Sequence, residues 1–541
     1  MVNPVFSATI WSFEGLRPFT GTSFSTTPLG LATVAALTPK HWEVQIADEN
    51  VEPIDFDIQA DLIGITAFNV QYQRSLAIAA EFKKRGKIVV FGGPYCSLFP
   101  EAFEGKGDYR ISGEAEHLWP EFLSDFEKGT ARELYHSDAK VNLEISPLPR
   151  YDLIRQDRYN TFCLQTSRGC PFQCEFCDII VTDGRVPRTK TVEQVLAEVE
   201  HCVKHGAHDI VFGDANFIGN IPQARKLLKA LVEYSQKNNY PVEFSCELTI
   251  NVAHHPDLLD LLQAANFYTV FVGIESPRRD SLVETKKLQN TRNSMLEDIE
   301  KIHTHNISVC AGMIVGFDSD DRLIFTEQFN YLKELGIPFT TCGTLLALPN
   351  TPLLKRLESE GRLLDFEWAD LNGHGSADCN FIPKKMTLEE LNKGYNWLVR
   401  CLYRYDSYAD RLVTLLDRFQ ATAKAKKTKL NLKFIILSLK IVIYYLFTGD
   451  GRRYEFFSKT FSRIARQKNA SSAKWIEFFR WMALYRAFRK YVEEKFGVPE
   501  AMRPDQPPYV SLSGEGVSTL SCTEPFIAAR EIHRTKGTGR P

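Results

Sequence analysis

Long apolar runs are missing from this sequence. The longest, LNLKFIILSLKIVIYYLF at residues 430–447, is broken by Lys433 and Lys440 and falls short of the roughly 20 residues a bilayer span needs. It reads as a buried or interfacial helix instead. An excess of charge of one sign is missing too: 65 Lys and Arg against 67 Asp and Glu leave a net charge of -2, which argues against a broad nucleic-acid footprint. The opening residues MVNPVFSATIWSFEGLRPFTG show no basic stretch followed by an apolar run and a small-residue cleavage site. No secretory signal is therefore expected, and the expected compartment is the cytosol. Cysteine is scarce, 12 in 541 residues, too few for a disulfide scaffold. No G-x-G-x-x-G opens a helix, which speaks against a dinucleotide site, and no internal repeat is visible.

What is present is alternation. The length predicts two to four domains. Strand-like runs PVFSATIW, EVQIAD, DLIGITAF, KIVVFGGP and DYRISGE, with helical stretches such as SLAIAAEFKKRG between them, predict a doubly wound parallel sheet over residues 1–135. A polar connector with two prolines follows at 136–160. A second alternation over 161–365, with strands ending in TFCLQT, DIVFGDANF, VEFSCELT, YTVFVGIES, SVCAGMIVGF and FTTCGTLLAL, predicts a partial (β/α)6 barrel whose chemistry sits at the C-terminal strand ends. Residues 366–500 read as helical, with Tyr395, Trp397 and Tyr403 either lining an apolar pocket or serving as core. The lysine-rich ATAKAKKTK at 421–429 is a solvated linker or a peripheral membrane contact, and 501–541 reads as a disordered tail.

One cluster carries chemistry. TSRGCPFQCEFC spaces Cys170, Cys174 and Cys177 as C-x3-C-x2-C, with no fourth cysteine nearby. Structural zinc and electron-transfer iron–sulfur clusters both want four ligands. Three leave a reactive iron open, although spacing alone still allows zinc with a distant fourth ligand, or coincidence.

The loop closely resembles the radical S-adenosylmethionine (SAM) superfamily, whose signature is C-x3-C-x-φ-C with an aromatic φ, here Phe176. Later strand ends match in order: FGDANF with Gly213 and Asp214, Glu247 in CELT, Gly273, Glu275 and Ser276 in VGIES, Gly312, Ile314 and Gly316 in GMIVGFD, and Pro349 and Thr351 in LPNTPL. The resemblance implies a 4Fe-4S cluster on the three cysteines with SAM on its open iron. It also implies SAM contacts from Phe176, Gly213, Asp214, Glu247, Glu275, Ser276, Gly312 and Ile314, and an electron donor such as flavodoxin or ferredoxin. The first section resembles the cobalamin-binding domain of class B radical SAM enzymes. Where many such domains carry D-x-H-x-x-G, this chain has Asp48 and then Asn50 in the histidine slot, with Pro53 in place of the glycine. The lower face of cobalt is thus expected to lack a protein nitrogen, with cobalamin contacts from Thr66, Phe68 and Asn69, the Gly92–Gly93 turn, and Gly113 and Glu114. The alternative is a flavodoxin-like fold with another cofactor or none. The helical extension resembles that of the hopanoid methylase group. The expected activity is transfer of methyl from methylcobalamin to an unactivated carbon of an apolar small molecule, with a hopanoid-type lipid as the leading substrate and a natural-product scaffold or a tetrapyrrole as the alternatives. The rivals are radical cyclisation or oxidation without methyl transfer, and a sensor that binds both cofactors without turnover.

Overall fold

A computed structural model describes residues 1–366, 368, 378–420, 432–447, 449, 451–467 and 471–509. The lysine run at 424–429 and the tail beyond 509 lie outside the described residues.

The first sheet has six parallel strands: β1 (Val2–Asn3), β3 (Ala47–Asp48), β4 (Leu62–Thr66), β5 (Ile88–Gly92), β6 (Tyr109–Ser112) and β7 (Leu134–His136), in spatial order β3-β1-β4-β5-β6-β7. Ile63, Ile65, Val89 and Phe91 pack against Ile78 and Phe82 of the helix Tyr72–Lys84. The predicted strand PVFSATIW (residues 4–11) does not form: the strand is Val2–Asn3, just before it, and stops there for a local reason. Pro4 carries no donor, and the next amides turn to side chains, Val5 N to Glu49 Oε2 (2.9 Å) and Phe6 N to Asn50 Oδ1 (2.9 Å).

The second sheet runs β15-β14-β13-β12-β11-β8-β2, parallel throughout. Its strands are β2 (Phe24–Thr26), β8 (Tyr159–Leu164), β11 (Asp209–Phe212), β12 (Glu243–Glu247), β13 (Phe267–Glu275), β14 (Ser308–Val315) and β15 (Thr340–Thr344). Six of these are the predicted barrel strands. The seventh, β2, comes from the N-terminal section, so the chain from about residue 10 to 26 sides with the barrel. The turn Ile10–Ser12 sets Trp11 5.6 Å from Phe271 and 5.4 Å from Phe339. Gly15 lies so close to the helix Ser472–Phe496 that a Cβ there would meet Ala487 Cα at 2.4 Å.

That long helix also seals the N-terminal end of the barrel. Arg480 lies 3.9 Å from the Tyr268 ring centre and pairs with Glu243 at 2.5 Å and with Glu477, while Trp481 Nε1 donates to Ser308 Oγ at 3.2 Å. Tyr395 and Tyr403 are buried, and their hydroxyls donate to the β15 carbonyls of Cys342 and Thr340, both at 2.8 Å. With the equally buried Trp397 they are core. Among the described residues no helix is long and apolar enough to cross a membrane.

Candidate functional site

The cysteine loop leaves the C-terminal end of β8 and is pinned on three sides. A short antiparallel ribbon of β9 (Ser167–Arg168) and β10 (Arg188–Thr189) starts it. Gly169 turns it at φ +99°, where a Cβ would stand 3.0 Å from the carbonyls of Gly184 and Val186, so glycine is required. Glu175, between Cys174 and Phe176, is buried. Its amide donates to Thr285 O (2.8 Å), its carbonyl accepts from Leu353 N (3.0 Å), and its carboxylate takes both prongs of Arg356 (2.8 and 3.3 Å). Arg356 also reaches Asp318 at 2.8 Å.

Around the sulfurs stand amide donors and one cation. Asn216 Nδ2 is 4.0 Å from Cys170 Sγ, and Gln289 Nε2 is 3.6 Å from Cys174 Sγ. Such donors to sulfur are among the levers that set iron–sulfur potentials. Burial raises the Cys170 thiol and pushes that of Cys177 up to about 12, so ligation must displace those protons. Lys287 Nζ pairs with Glu275 Oε1 at 2.7 Å and lies 5.9 Å from the Phe176 ring centre. Burial opposes its charge, but Glu275 and Cys174 outweigh burial and hold it protonated. Three sulfurs on one clamped loop, sulfur-directed amides and a buried ammonium fit an iron–sulfur cluster with three protein ligands.

Apart from Phe176 in the loop itself, the remaining SAM candidates lie on the barrel strands or just past their C-terminal ends. Phe176 and Ile314 pack in one apolar group with Phe317, 6.2 Å from Phe176 between ring centres. Glu275 breaks the register of β13 with β14 and holds a left-handed φ of +69°, a strained conformation of the kind that clusters at functional sites. A Cβ on Gly273 would stand 2.3 Å from Glu275 Oε1, and one on Gly312 3.2 Å from Phe271. Gly213 has Cys163 Sγ 3.0 Å from its would-be Cβ. Two acids differ in kind. Asp214 is consumed locally, accepting from Thr166 N (2.6 Å), Thr166 Oγ1 and Ser167 Oγ (3.0 Å), so it braces the chain that enters the cysteine loop. Glu247 is paired across the sheet with Phe271 and is reached by solvent although protein walls it in; that enclosure, then the charge of Asp214, pushes its carboxyl up to about 7. Ser276 is buried, and its hydroxyl accepts from Arg278 N (3.1 Å).

In the first domain the candidates fall at the C-terminal strand ends. Thr66 closes β4, Phe68 is 48% exposed, and Asn69 opens the turn Asn69–Gln71. Gly93 takes φ +92°, with Thr66 Oγ1 2.4 Å from its would-be Cβ; beside it Gly92 ends β5. Asp48 binds Asn3 Nδ2 (3.0 Å) and Tyr159 OH (2.7 Å), tying the two sheets together. Asn50 spends its side chain on Asp48 (2.6 Å), Pro4 O (3.2 Å) and Phe6 N (2.9 Å), the work of a loop brace and not of a metal ligand. Gly113, φ +125°, lies against Ser137 O. Glu114 pairs with Arg188 (2.7 Å) and Arg168 (3.4 Å), and Glu116 with Arg168 (2.7 Å), bolting the first domain to the ribbon beside the cysteines. Aromatic contacts cross between the sheets: Phe6 lies 5.5 Å from Phe24 of β2 and 5.7 Å from Phe68 between ring centres; separately, Trp11, 37% exposed, lies against Phe271 of β13.

An open parallel barrel with a three-cysteine loop at its C-terminal mouth, fused to a doubly wound domain, defines the class. The radical SAM superfamily matches residues 164–329, and a domain of unknown function (DUF4070) matches 351–497. An uncharacterized methyltransferase of Synechocystis sp. is 34% identical over 502 residues, 92% of this chain and 93% of that one. The hopanoid C-2 methylase of Rhodopseudomonas palustris is 30% identical over 456 residues, 81% and 84% of the two chains. In fold the chain resembles the radical SAM methyltransferase TsrM from Kitasatospora setae, solved with cobalamin and a [4Fe-4S] cluster (TM-score 0.58, 17% identity, 86% of this chain and 99% of that one). It also resembles the cobalamin-dependent radical SAM enzyme OxsB (TM-score 0.56, 16% identity, 91% and 79%). The chain belongs to the radical SAM methyltransferases that include the hopanoid C-2 methylase.

Lys287, Gln289, Asn216 and Arg356 were not singled out by sequence reading. Asn216 lay inside the quoted FGDANF, and the polar run TKKLQN after VGIESP has no helical period, a signal that it serves something other than packing.

Proposed function

We propose that the protein methylates an unactivated carbon of an apolar polycyclic lipid of the hopanoid type, working at the cytoplasmic face of a membrane. The observation that carries this reading is two groups of partly exposed rings, Phe6 with Phe24 and Phe68 where the two sheets meet, and Trp11 with Phe271 on the barrel: such rings suit an apolar ring system. The kinship with the hopanoid C-2 methylase supports the same substrate class.

Cluster, SAM and cobalamin supply, when bound, the radical that removes a hydrogen atom and the methyl group that replaces it. The chain's own part is positioning. Cys170, Cys174 and Cys177 would hold the cluster, and Asn216 and Gln289 donate to the sulfurs of Cys170 and Cys174. The Glu175–Arg356 pair fixes the loop, and the left-handed Glu275, held by Lys287, would bind the polar end of SAM. Phe176 and Ile314 would offer the adenine an apolar seat, while Gly213 and Gly312 let the strands pack closely against Cys163 and Phe271. The close approach at Gly93, beside Gly92 and with Thr66, Phe68 and Asn69, would border the cobalamin side. A small reductant protein such as flavodoxin or ferredoxin delivers the electron.

The test is metabolic. A strain lacking the gene loses a lipid one methyl group heavier than its precursor, and purified protein given deuterated-methyl SAM and that precursor puts the label into the product. Product formed without label would replace methylation by radical cyclisation or oxidation.

A further inference from the structure

The helix Leu432–Phe447 is two-faced in an unusual direction. Ile441 and Tyr445 are buried, and Tyr445 OH donates to Met482 O at 2.8 Å, anchoring the helix to Ser472–Phe496. Lys440 Nζ reaches inward to Phe19 O at 3.1 Å. The outward face carries Ile435, Ile436, Leu439, Ile443 and Phe447, a stripe at i, i+4, i+8 and i+12 about 18 Å long, with Leu439 58% and Phe447 75% exposed. Among the described residues nothing covers it. An apolar stripe this long and continuous marks a contact surface and not scattered surface leucines.

Charge decides the occupant. Residues 432–466 hold seven Lys and Arg against two Asp and Glu, in a chain whose charges otherwise nearly cancel. Arg452, Lys459, Arg463 and Arg466 are exposed on or just beyond the neighbouring helix Gly451–Ala465, which also exposes Tyr454. Arg453 and Arg486 stack on Tyr444, 4.4 and 4.8 Å from its centre, at the edge of the stripe. A second copy seated on this face would bring two positively charged rims together, whereas an anionic bilayer meets both the stripe and the rim. Sixteen residues are too few to cross a bilayer but enough to lie in its interface.

We infer that this face docks on the surface of an anionic lipid bilayer, with the stripe of Leu432–Phe447 among the acyl-chain ends and the arginines at the headgroups. Location favours a purpose. The short helix Arg17–Thr20, whose Phe19 accepts from Lys440, follows directly on the Ile10–Leu16 segment that brings Trp11 against Phe271. The docked face is therefore linked, through residues 10–20, to the Trp11–Phe271 contact on the barrel. The inference names the surface behind the membrane contact proposed above, but it stands whether or not the lipid is what the enzyme methylates.

The test is flotation of the full chain with vesicles of pure phosphatidylcholine and of phosphatidylcholine with 30% phosphatidylglycerol (a proportion of roughly that order gives the negative surface the argument needs). The wild type should float with the anionic vesicles at least about tenfold more than with neutral ones, and less as salt rises. The Leu439→Asp/Ile443→Asp variant, with iron content and circular dichroism unchanged because both positions are exposed, should lose that binding. Equal flotation of wild type and variant, or no flotation of the wild type, would overturn the inference. So would light scattering that finds a dimer in the wild type and a monomer in the variant. Methylation of detergent-dispersed substrate by the variant separates this claim from that about the reaction, since it should persist.

Discussion

Arg356→Ala is the sharpest local perturbation of the cysteine loop. Glu175 sits between two cluster-loop residues, is 6% exposed, and takes two hydrogen bonds from Arg356. Removing one partner of a buried, bidentate pair costs about 3–5 kcal/mol, because the remaining carboxylate stays buried and unpaired. The lower end applies here: Arg356 is part-exposed, and its second partner Asp318 keeps Arg362 at 2.7 Å and Lys384 at 3.1 Å. About 3 kcal/mol is roughly a hundredfold shift toward an opened loop. Hydrogen exchange of the amides at 169–178 should quicken by that order, and iron and sulfide bound after anaerobic reconstitution should fall severalfold. Arg356→Lys should lie between, since an ammonium keeps the charge but not the fork. The double change Glu175→Gln/Arg356→Met removes both charges and should recover most of the loss. Wild-type exchange and iron content in Arg356→Ala would refute the clamp.

Other outcomes follow from the same geometry. Lys287→Gln, which removes the ammonium beside Cys174, should lower the midpoint potential of the bound cluster in a redox titration followed by electron paramagnetic resonance; an unchanged potential would show that Glu275 already cancels its field. Gly93→Ala must fit a Cβ 2.4 Å from Thr66 Oγ1 at φ +92°, and should abolish uptake of a corrinoid absorption band while iron content holds. Burial pushes Glu477 up to about 7. The unfolded chain releases that proton near pH 4.5 while the native state keeps it, so stability falls as pH rises from about 4.5 to 7, and Glu477→Gln should flatten that slope in urea titrations. Asp318 goes the other way: burial opposes ionisation, but hydrogen bonds from Arg362, Arg356 and Lys384 hold it down at about 2. Its contribution is present above about pH 3.8 and is lost toward pH 2, a loss that Asp318→Asn should abolish.

The reach of sequence reading tracks how local each feature is. The cysteines, the glycines at tight turns and the barrel strands declare themselves within a dozen residues, and those features lie where they were expected. The strand Phe24–Thr26 does not, because three residues carry no period and its partner β8 lies more than 130 positions on. Arg356 and Glu175 are 181 residues apart, and Gln289 and Cys174 115. Only the folded barrel brings such pairs together, so polar residues in loops of no obvious motif become the supports of the cysteine loop. Asp214 and Glu114 were legible as functional acids but not in their parts. One braces the entry to the cysteine loop and the other ties two domains, because their partners Thr166 and Arg188 are set by packing.

The most direct test of the central claim is the nucleoside balance of the reduced, reconstituted, cobalamin-supplied protein turning over SAM with its substrate. Radical methylation through cobalamin predicts 5′-deoxyadenosine and S-adenosylhomocysteine in equal amounts, each matching the methylated product, and neither product of turnover from Cys174→Ala. S-adenosylhomocysteine without 5′-deoxyadenosine, or turnover that survives loss of Cys174, would contradict it.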